Sequence, residues 1–216
     1  LHDIVHGPYS HTFEKVARGF KHEHQTLLLL QQFETRVGLT RAEWQMVAQL
    51  ITGISPDPGR EFLYQIVCNK ESGLDVDKMD YILRDSKNTS IRFGCDIMRL
   101  IQGSRALMVN GRRVVAFAEK LARDLIALFR TRFHLHEIVY QHKVVMGIEL
   151  MVLDALEIGD QKAAFGDYWA LRDRIWKDPE QFGLLDDSII NQLMRTDCEE
   201  AQEALARTER EVAQYR

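Results

Sequence analysis

Cysteine and proline are scarce in this chain: 216 residues hold three of the first and four of the second. Cys68, Cys95 and Cys198 are far apart and show no C-x-x-C spacing. That excludes a disulfide framework and a cysteine-built zinc site, and it fits free thiols in an intracellular, reducing compartment. Two of the prolines sit in one loop, Ser55-Pro-Asp-Pro-Gly59, so long stretches elsewhere carry no helix breaker. No apolar run approaches a membrane span; the longest, Leu27–Leu30, is a core stretch, and no membrane partner is expected. Excess positive charge is also missing. The formal net charge is -4, so no global field draws the chain to nucleic acid, which is not indicated as a partner. No signal peptide is present, and the chain opens on Leu1 as if in the middle of a motif, so a trimmed N-terminus is expected.

What is there reads as helix. Leu27, Leu28, Leu30 and Phe33 recur at helical spacing over residues 22–36. Thr40 followed by Glu43 is a capping box, and Gly53 stops the helix that it starts. A short helix covers Glu61–Asn69, and Asp75 caps another that runs to about Lys87. Residues 105–118 break the trend: two β-rich runs flank Asn110-Gly111, which predicts a hairpin on a tight turn. A long helix is expected from Glu119 to about Ile158, bent near Gly147. Shorter helices follow over Asp167–Trp176 and Asp187–Arg195, and then an exposed helical tail, Glu199–Arg216. The expected architecture is all-α with one small hairpin: a core over residues 1–158 and a helical extension of the same domain over 159–216.

Four polar clusters interrupt these helices. The first lies in Leu-His-Asp-Ile-Val-His-Gly-Pro-Tyr-Ser-His at the N-terminus, where His2 and Asp3 are adjacent and His6 and His11 follow. Imidazole with carboxylate suits Fe, Mn or Zn better than Ca. The second is Asp77, Tyr81 and Asp85, at i, i+4 and i+8 on one helical face, with Lys78 beside them. That stripe is either a ligand surface or a solvated face on which Asp77 pairs with Tyr81 and Lys78. The third is Arg132, His136, Tyr140 and Lys143, a stripe at i, i+4, i+8 and i+11 among Leu128, Phe129, Phe133, Leu135, Ile138 and Val139. A helix apolar around most of its circumference is expected to be buried. Its cations then need anions, either carboxylates of a neighbouring helix or a polyphosphate. The fourth is His22-Glu23-His24, a histidine run able to exchange protons.

Together these clusters resemble the HD-domain phosphohydrolases, and most of all the SAM-and-HD-domain deoxynucleoside triphosphate (dNTP) triphosphohydrolases and the bacterial dGTPases. The similar stretches are Leu1–His11, Phe62-Leu-Tyr-Gln-Ile-Val-Cys-Asn-Lys70, Leu74–Asp85, and Thr131–His136 continuing through Tyr140-Gln-His-Lys143. They occur in the family's order and, with the segments between them, cover most of residues 1–158. The resemblance implies a divalent transition metal held by His2, Asp3 and Asp77, with a further histidine ligand upstream of Leu1. It implies that His6 approaches the α-phosphate, that His11 and His22 transfer protons, and that Glu14 stands where the family has a supporting aspartate. Lys78, Arg132 and Lys143 would face the triphosphate. Tyr81 and Tyr140 would pack on the deoxyribose, Asp85 would accept from the 3′-hydroxyl, and His136 and Gln141 would lie near sugar and base.

The activity so implied is hydrolysis of a dNTP to deoxynucleoside and intact triphosphate, with Mg accompanying the substrate phosphates. The family also implies a homo-oligomer, dimer or tetramer, and an activating nucleotide, for which Asp96, Arg99 and Lys120 are the candidate contacts; Ala118 stands where relatives can carry an arginine. Two other readings remain open at this level: an HD phosphohydrolase for a mono- or cyclic nucleotide, and a non-catalytic nucleotide- or nucleic-acid-binding scaffold.

Overall fold

A computed structural model describes residues 4–17, 19–162 and 177–214. His2 and Asp3, and the helix expected over 167–176, lie outside them. The secondary structure of the described residues is helical apart from one two-stranded antiparallel hairpin, as the sequence predicts. The chain divides into two compact units: residues 1–33 with 143–216, and residues 34–142.

In the first unit, α1 (His11–Val16), α2 (His22–Val37), α8 (Lys143–Gln161), α9 (Pro179–Phe182), α10 (Ile189–Leu193) and α11 (Glu199–Gln214) supply the secondary structure, and α2 runs on past the unit's boundary. Phe13, Val16, Ala17 and Phe20 are buried with Leu156 of α8 and Ile189 of α10, making a core directly beneath α1. The Phe13 and Phe20 rings meet edge to face, centroids 5.2 Å apart. The C-terminal helix departs from the expected exposed tail. One face of α11, carrying Ala201, Leu205 and Thr208, is buried, and Ala201 and Leu205 pack with Ala155 of α8, Leu193 and Cys198. Its many charges occupy the other face, which is why composition alone read it as solvated.

The second unit contains α3 (Arg41–Thr52), α4 (Glu61–Val67), α5 (Val76–Asn88), α6 (Ile97–Gln102), the hairpin β1 (Ser104–Val109) and β2 (Arg112–Phe117), a 3-10 turn at Glu119–Leu121, α7 (Ala122–Leu135) and a π turn at His136–Tyr140. The Thr40–Glu43 capping box forms in full, and Gly53 ends α3 at φ 67°. Asn110 and Gly111 take φ of 50° and 79°, the doubly left-handed turn that matches strand twist. The N–H groups of Arg113 and Val115 on β2 donate to side-chain oxygens of Glu61 and Gln65 on α4, so that strand edge is satisfied. Leu74, Met79, Ile82, Leu100, Leu121, Leu128 and Leu135 form the core between α5 and α7.

Asp75 starts α5 as expected, and it does more than cap. One carboxylate oxygen accepts from the Lys78 N–H at 3.0 Å; the other accepts from Asn69 N–H and Lys78 Nζ, both at 3.1 Å. Asp75 is buried, so alanine there strands the Asn69 N–H as well as the cap. Asp75→Ala is expected to cost about 1–2 kcal/mol in urea unfolding, and Asp75→Asn less.

The expected helix from Glu119 to Ile158 is not continuous. It opens with the 3-10 turn, passes through the π turn and stops at Gln141-His142 before α8 begins at Lys143. The break lies ahead of Gly147, which sits inside α8. Nor is α7 apolar and buried around its circumference: Phe133 is 68% exposed and Phe129 38%. The three cysteines are free thiols. No described helix is long and apolar enough to cross a membrane.

Candidate active site

The first cluster is assembled by the turn that leads into α1. Ser10 N–H donates to the Gly7 carbonyl at 2.9 Å, and Tyr9 and Ser10 take φ of 56° and 55°. Left-handed backbone at non-glycine residues costs roughly 1–3 kcal/mol and survives only when its surroundings enforce it. Here Asp187 enforces it: its carboxylate accepts from Tyr9 N–H at 2.8 Å and its carbonyl from the Tyr9 hydroxyl at 3.0 Å. Gly7 has to be glycine, because a Cβ would sit 2.3 Å from Phe13 Cδ1.

This turn brings His6 and His11 to His22 at the start of α2. The His6 and His22 rings stack with centroids 4.5 Å apart, and His11 stands edge-on to both, at 5.5 and 5.4 Å. Ser10 Oγ lies 3.2 Å from His6 Nδ1. Glu14, one turn into α1, is hydrogen-bonded to His22 Nδ1, and its carboxylate lies 3.8 Å from His11 Nδ1 and 3.9 Å from Lys21 Nζ. Burial pushes the Glu14 carboxyl up. The side-chain and backbone hydrogen bonds from His22 and the nearby imidazoles outweigh that, and the net shift is downward. An ionised Glu14 accepting at Nδ1 fixes the orientation and tautomer of the His22 ring. His24 is exposed. Ser10, Lys21 and Asp187 were not foreseen. Only Gly7-Pro8 hinted at the turn, and no sequence signal pointed to residue 187.

The second unit carries the other polar residues. Asp77 lies in the first turn of α5 and Tyr81 and Asp85 follow on its face. Lys78 is engaged by Asp75, with Nζ 3.1 Å from its carboxylate. Two bonds tie this face to the next element: Arg132 Nε donates to the Tyr81 hydroxyl at 3.0 Å, and the Tyr140 hydroxyl donates to Asp85 Oδ2. Tyr81 and Tyr140 meet edge to face at 6.4 Å, and His136 packs edge-on against Tyr140 at 5.0 Å. Burial, and then the carboxylate of Asp85, raises the Tyr140 phenol, which stays a donor at neutral pH. Burial and then Arg132 lower the His136 imidazole, which favours its neutral form.

The expected four-residue stripe is therefore divided. Arg132 is on α7, and His136 and Tyr140 are on the π turn, closed by Gln141 N–H donating to the His136 carbonyl at 2.8 Å. Lys143 begins α8 in the first unit. One inserted residue per π turn shifts the helical phase, and such turns recur at functional sites. Gln141 is exposed. Among the residues proposed for an activating nucleotide, Asp96 caps α6 by accepting from Arg99 N–H at 3.2 Å, the Arg99 guanidinium lies 3.6 Å from Asp124, and Lys120 is in the 3-10 turn.

Comparison with known proteins fits this inventory. The chain is 33% identical to the deoxynucleoside triphosphate triphosphohydrolase SAMHD1 homolog of Dictyostelium discoideum, over 89% of its length and 37% of that protein's. The chain resembles the HD-domain phosphohydrolases. Deoxynucleoside triphosphate triphosphohydrolase SAMHD1 of Danio rerio is 30% identical over 95% of this chain and 38% of its own. An Acanthamoeba polyphaga mimivirus protein named for an HD domain is 30% identical over 90% of this chain and 42% of its own. The chain thus spans about two fifths of the length of the HD relatives it matches. No protein-family model matches it.

Proposed function

We propose that this chain carries the catalytic core of a metal-dependent dNTP triphosphohydrolase, with the core in residues 1–158 and a helical extension beyond. The observation that carries this reading is the convergence of His6, His11, Glu14 and His22 in one cluster, in a chain similar to dNTP triphosphohydrolases.

In this reading His2, Asp3 and Asp77 hold a divalent Fe, Mn or Zn ion; the nitrogen-and-carboxylate donor set suits those metals. An ion held there would supply an activated water and polarisation of the α-phosphate. The residues of the chain do the rest. His6 steadies the α-phosphate. Arg132, Lys78 and Lys143 neutralise the polyphosphate, whose Mg comes with the substrate. Water adds to the α-phosphorus, the Pα–O5′ bond breaks, and the leaving 5′-oxygen takes a proton from His11 or from His22 with Glu14 behind it. Tyr81 and Tyr140 wall the sugar so that a 2′-hydroxyl clashes. Asp85 accepts from the 3′-hydroxyl; a carboxylate has acceptor capacity beyond the bond from Tyr140. His136 and Gln141 complete the sugar and base contacts. The same similarity supports a homo-oligomer and an activating nucleotide near Asp96, Arg99 and Lys120.

The test is product analysis with a saturating divalent metal. Full-length protein given each dNTP and Mn or Mg is expected to release deoxynucleoside and inorganic triphosphate. Release of pyrophosphate or orthophosphate as first product sinks the assignment of the cleaved bond.

A further inference from the structure

The cluster around Glu14 has a second use. One ligand atom from each of His11, Glu14 and His22 lies within 4.8 Å of the other two. We propose that these three residues form a binding site for a zinc-class divalent cation, and that its occupation takes the proton-transferring histidines out of use. This rests on the role proposed above for His11 and His22, but the cation site itself does not depend on that role.

Two imidazoles and one carboxylate, with a fourth position left to water, are a donor set that zinc accepts. Bonds of about 2.0–2.1 Å to a tetrahedral ion put ligand atoms roughly 3.3 Å apart. The cluster must therefore close by an ångström or so. Closure is easy because the mobile partner is the exposed one: the His11 side chain is 69% exposed, whereas Glu14 and His22 are 14% and 17% exposed and already paired. The charges around the site permit it. Lys15 is taken up by Glu149, with Nζ 2.6 Å from that carboxylate. Lys21 opposes a cation, but its side chain is 70% exposed and has open solvent to withdraw into. Calcium and magnesium prefer all-oxygen sites and are not the occupants.

The consequence follows from lone pairs. An imidazole nitrogen bound to zinc cannot accept a proton, and a histidine fixed on zinc cannot deliver one to the 5′-oxygen. Low zinc would therefore inhibit hydrolysis supported by Mn, while bound through residues other than His2, Asp3 and Asp77.

The experiment is cobalt titration of full-length Asp77→Ala protein, in which the other metal set has lost a ligand. We expect one Co(II) bound with the visible bands of a four-coordinate nitrogen–oxygen site, displaced by zinc. Adding His11→Ala, His22→Ala or the nearly isosteric Glu14→Gln should each weaken binding about tenfold or more, and circular dichroism identifies any variant that fails to fold. No cobalt uptake, or uptake indifferent to all three changes, overturns the site. Zinc that binds this cluster without slowing Mn-supported hydrolysis by the unsubstituted protein overturns the inhibition. Hydrolysis of dNTP without cobalt uptake leaves the proposed activity standing and removes only this inference. Cobalt uptake by the Asp77→Ala protein, with no dNTP hydrolysis by the unsubstituted protein, does the reverse.

Discussion

Replacing Asp77 by alanine is expected to lower kcat for dNTP hydrolysis roughly a hundred- to thousandfold, since a Lewis acid at the reacting phosphate is worth several kcal/mol. The prediction is sharp because of where Asp77 stands. It lies in the first turn of a helix whose start is held by Asp75 through three hydrogen bonds, so the cap stays in place when Asp77 is replaced. Thermal unfolding measured alongside turnover separates loss of the metal ligand from loss of fold. Asp80 is the control: it sits on the same helix, its side chain is 70% exposed, and it pairs with Arg84. Asp80→Ala should leave kcat unchanged. Near-normal turnover in Asp77→Ala, measured at saturating Mn, would remove Asp77 from the metal set and with it the proposed chemistry.

The second large effect is on stability. Phe13→Ala is expected to destabilise the protein by about 3–5 kcal/mol, the range for emptying an aromatic site in a packed core. Phe13 is fully buried, meets Phe20 and Phe182 edge to face, and fills the space against Gly7. It is also the neighbour of Glu14, so the lost packing loosens the helix that aligns the histidines, and activity should fall along with the melting temperature. Phe133→Ala is the contrast. That ring is 68% exposed, and its removal should change stability by no more than about 0.5 kcal/mol. Denaturant unfolding of the two variants side by side reads both numbers; equal losses would contradict the packing described for α1.

The two phenylalanines also show what the sequence could tell and what it could not. Both occur in helical, apolar surroundings, and only tertiary contacts separate them. Features set by a few adjacent residues were legible: the Thr40–Glu43 box, Asp75 as a cap, Gly53 as a stop, the Asn110-Gly111 turn. Features set by distant residues were not. The stacking of His6 on His22 and the Asp187 clasp on Tyr9 join segments that no local spacing connects. The buried side of α11 was readable in principle, since Ala201, Leu205 and Thr208 recur at i, i+4 and i+7, but two of the three are small or polar and dense charge hid them. The stripe through Arg132, His136, Tyr140 and Lys143 failed for another reason. It assumed uniform α pitch, and nothing in His-Glu-Ile-Val-Tyr announces a wider turn.

That wider turn sets where Tyr140 points. Were residues 136–140 to relax to ordinary α pitch at the same length, Tyr140 would swing by about 100° about the axis, parting its phenol from Asp85. The segment can have a regular backbone or a tyrosine aimed at that carboxylate, and it has the second.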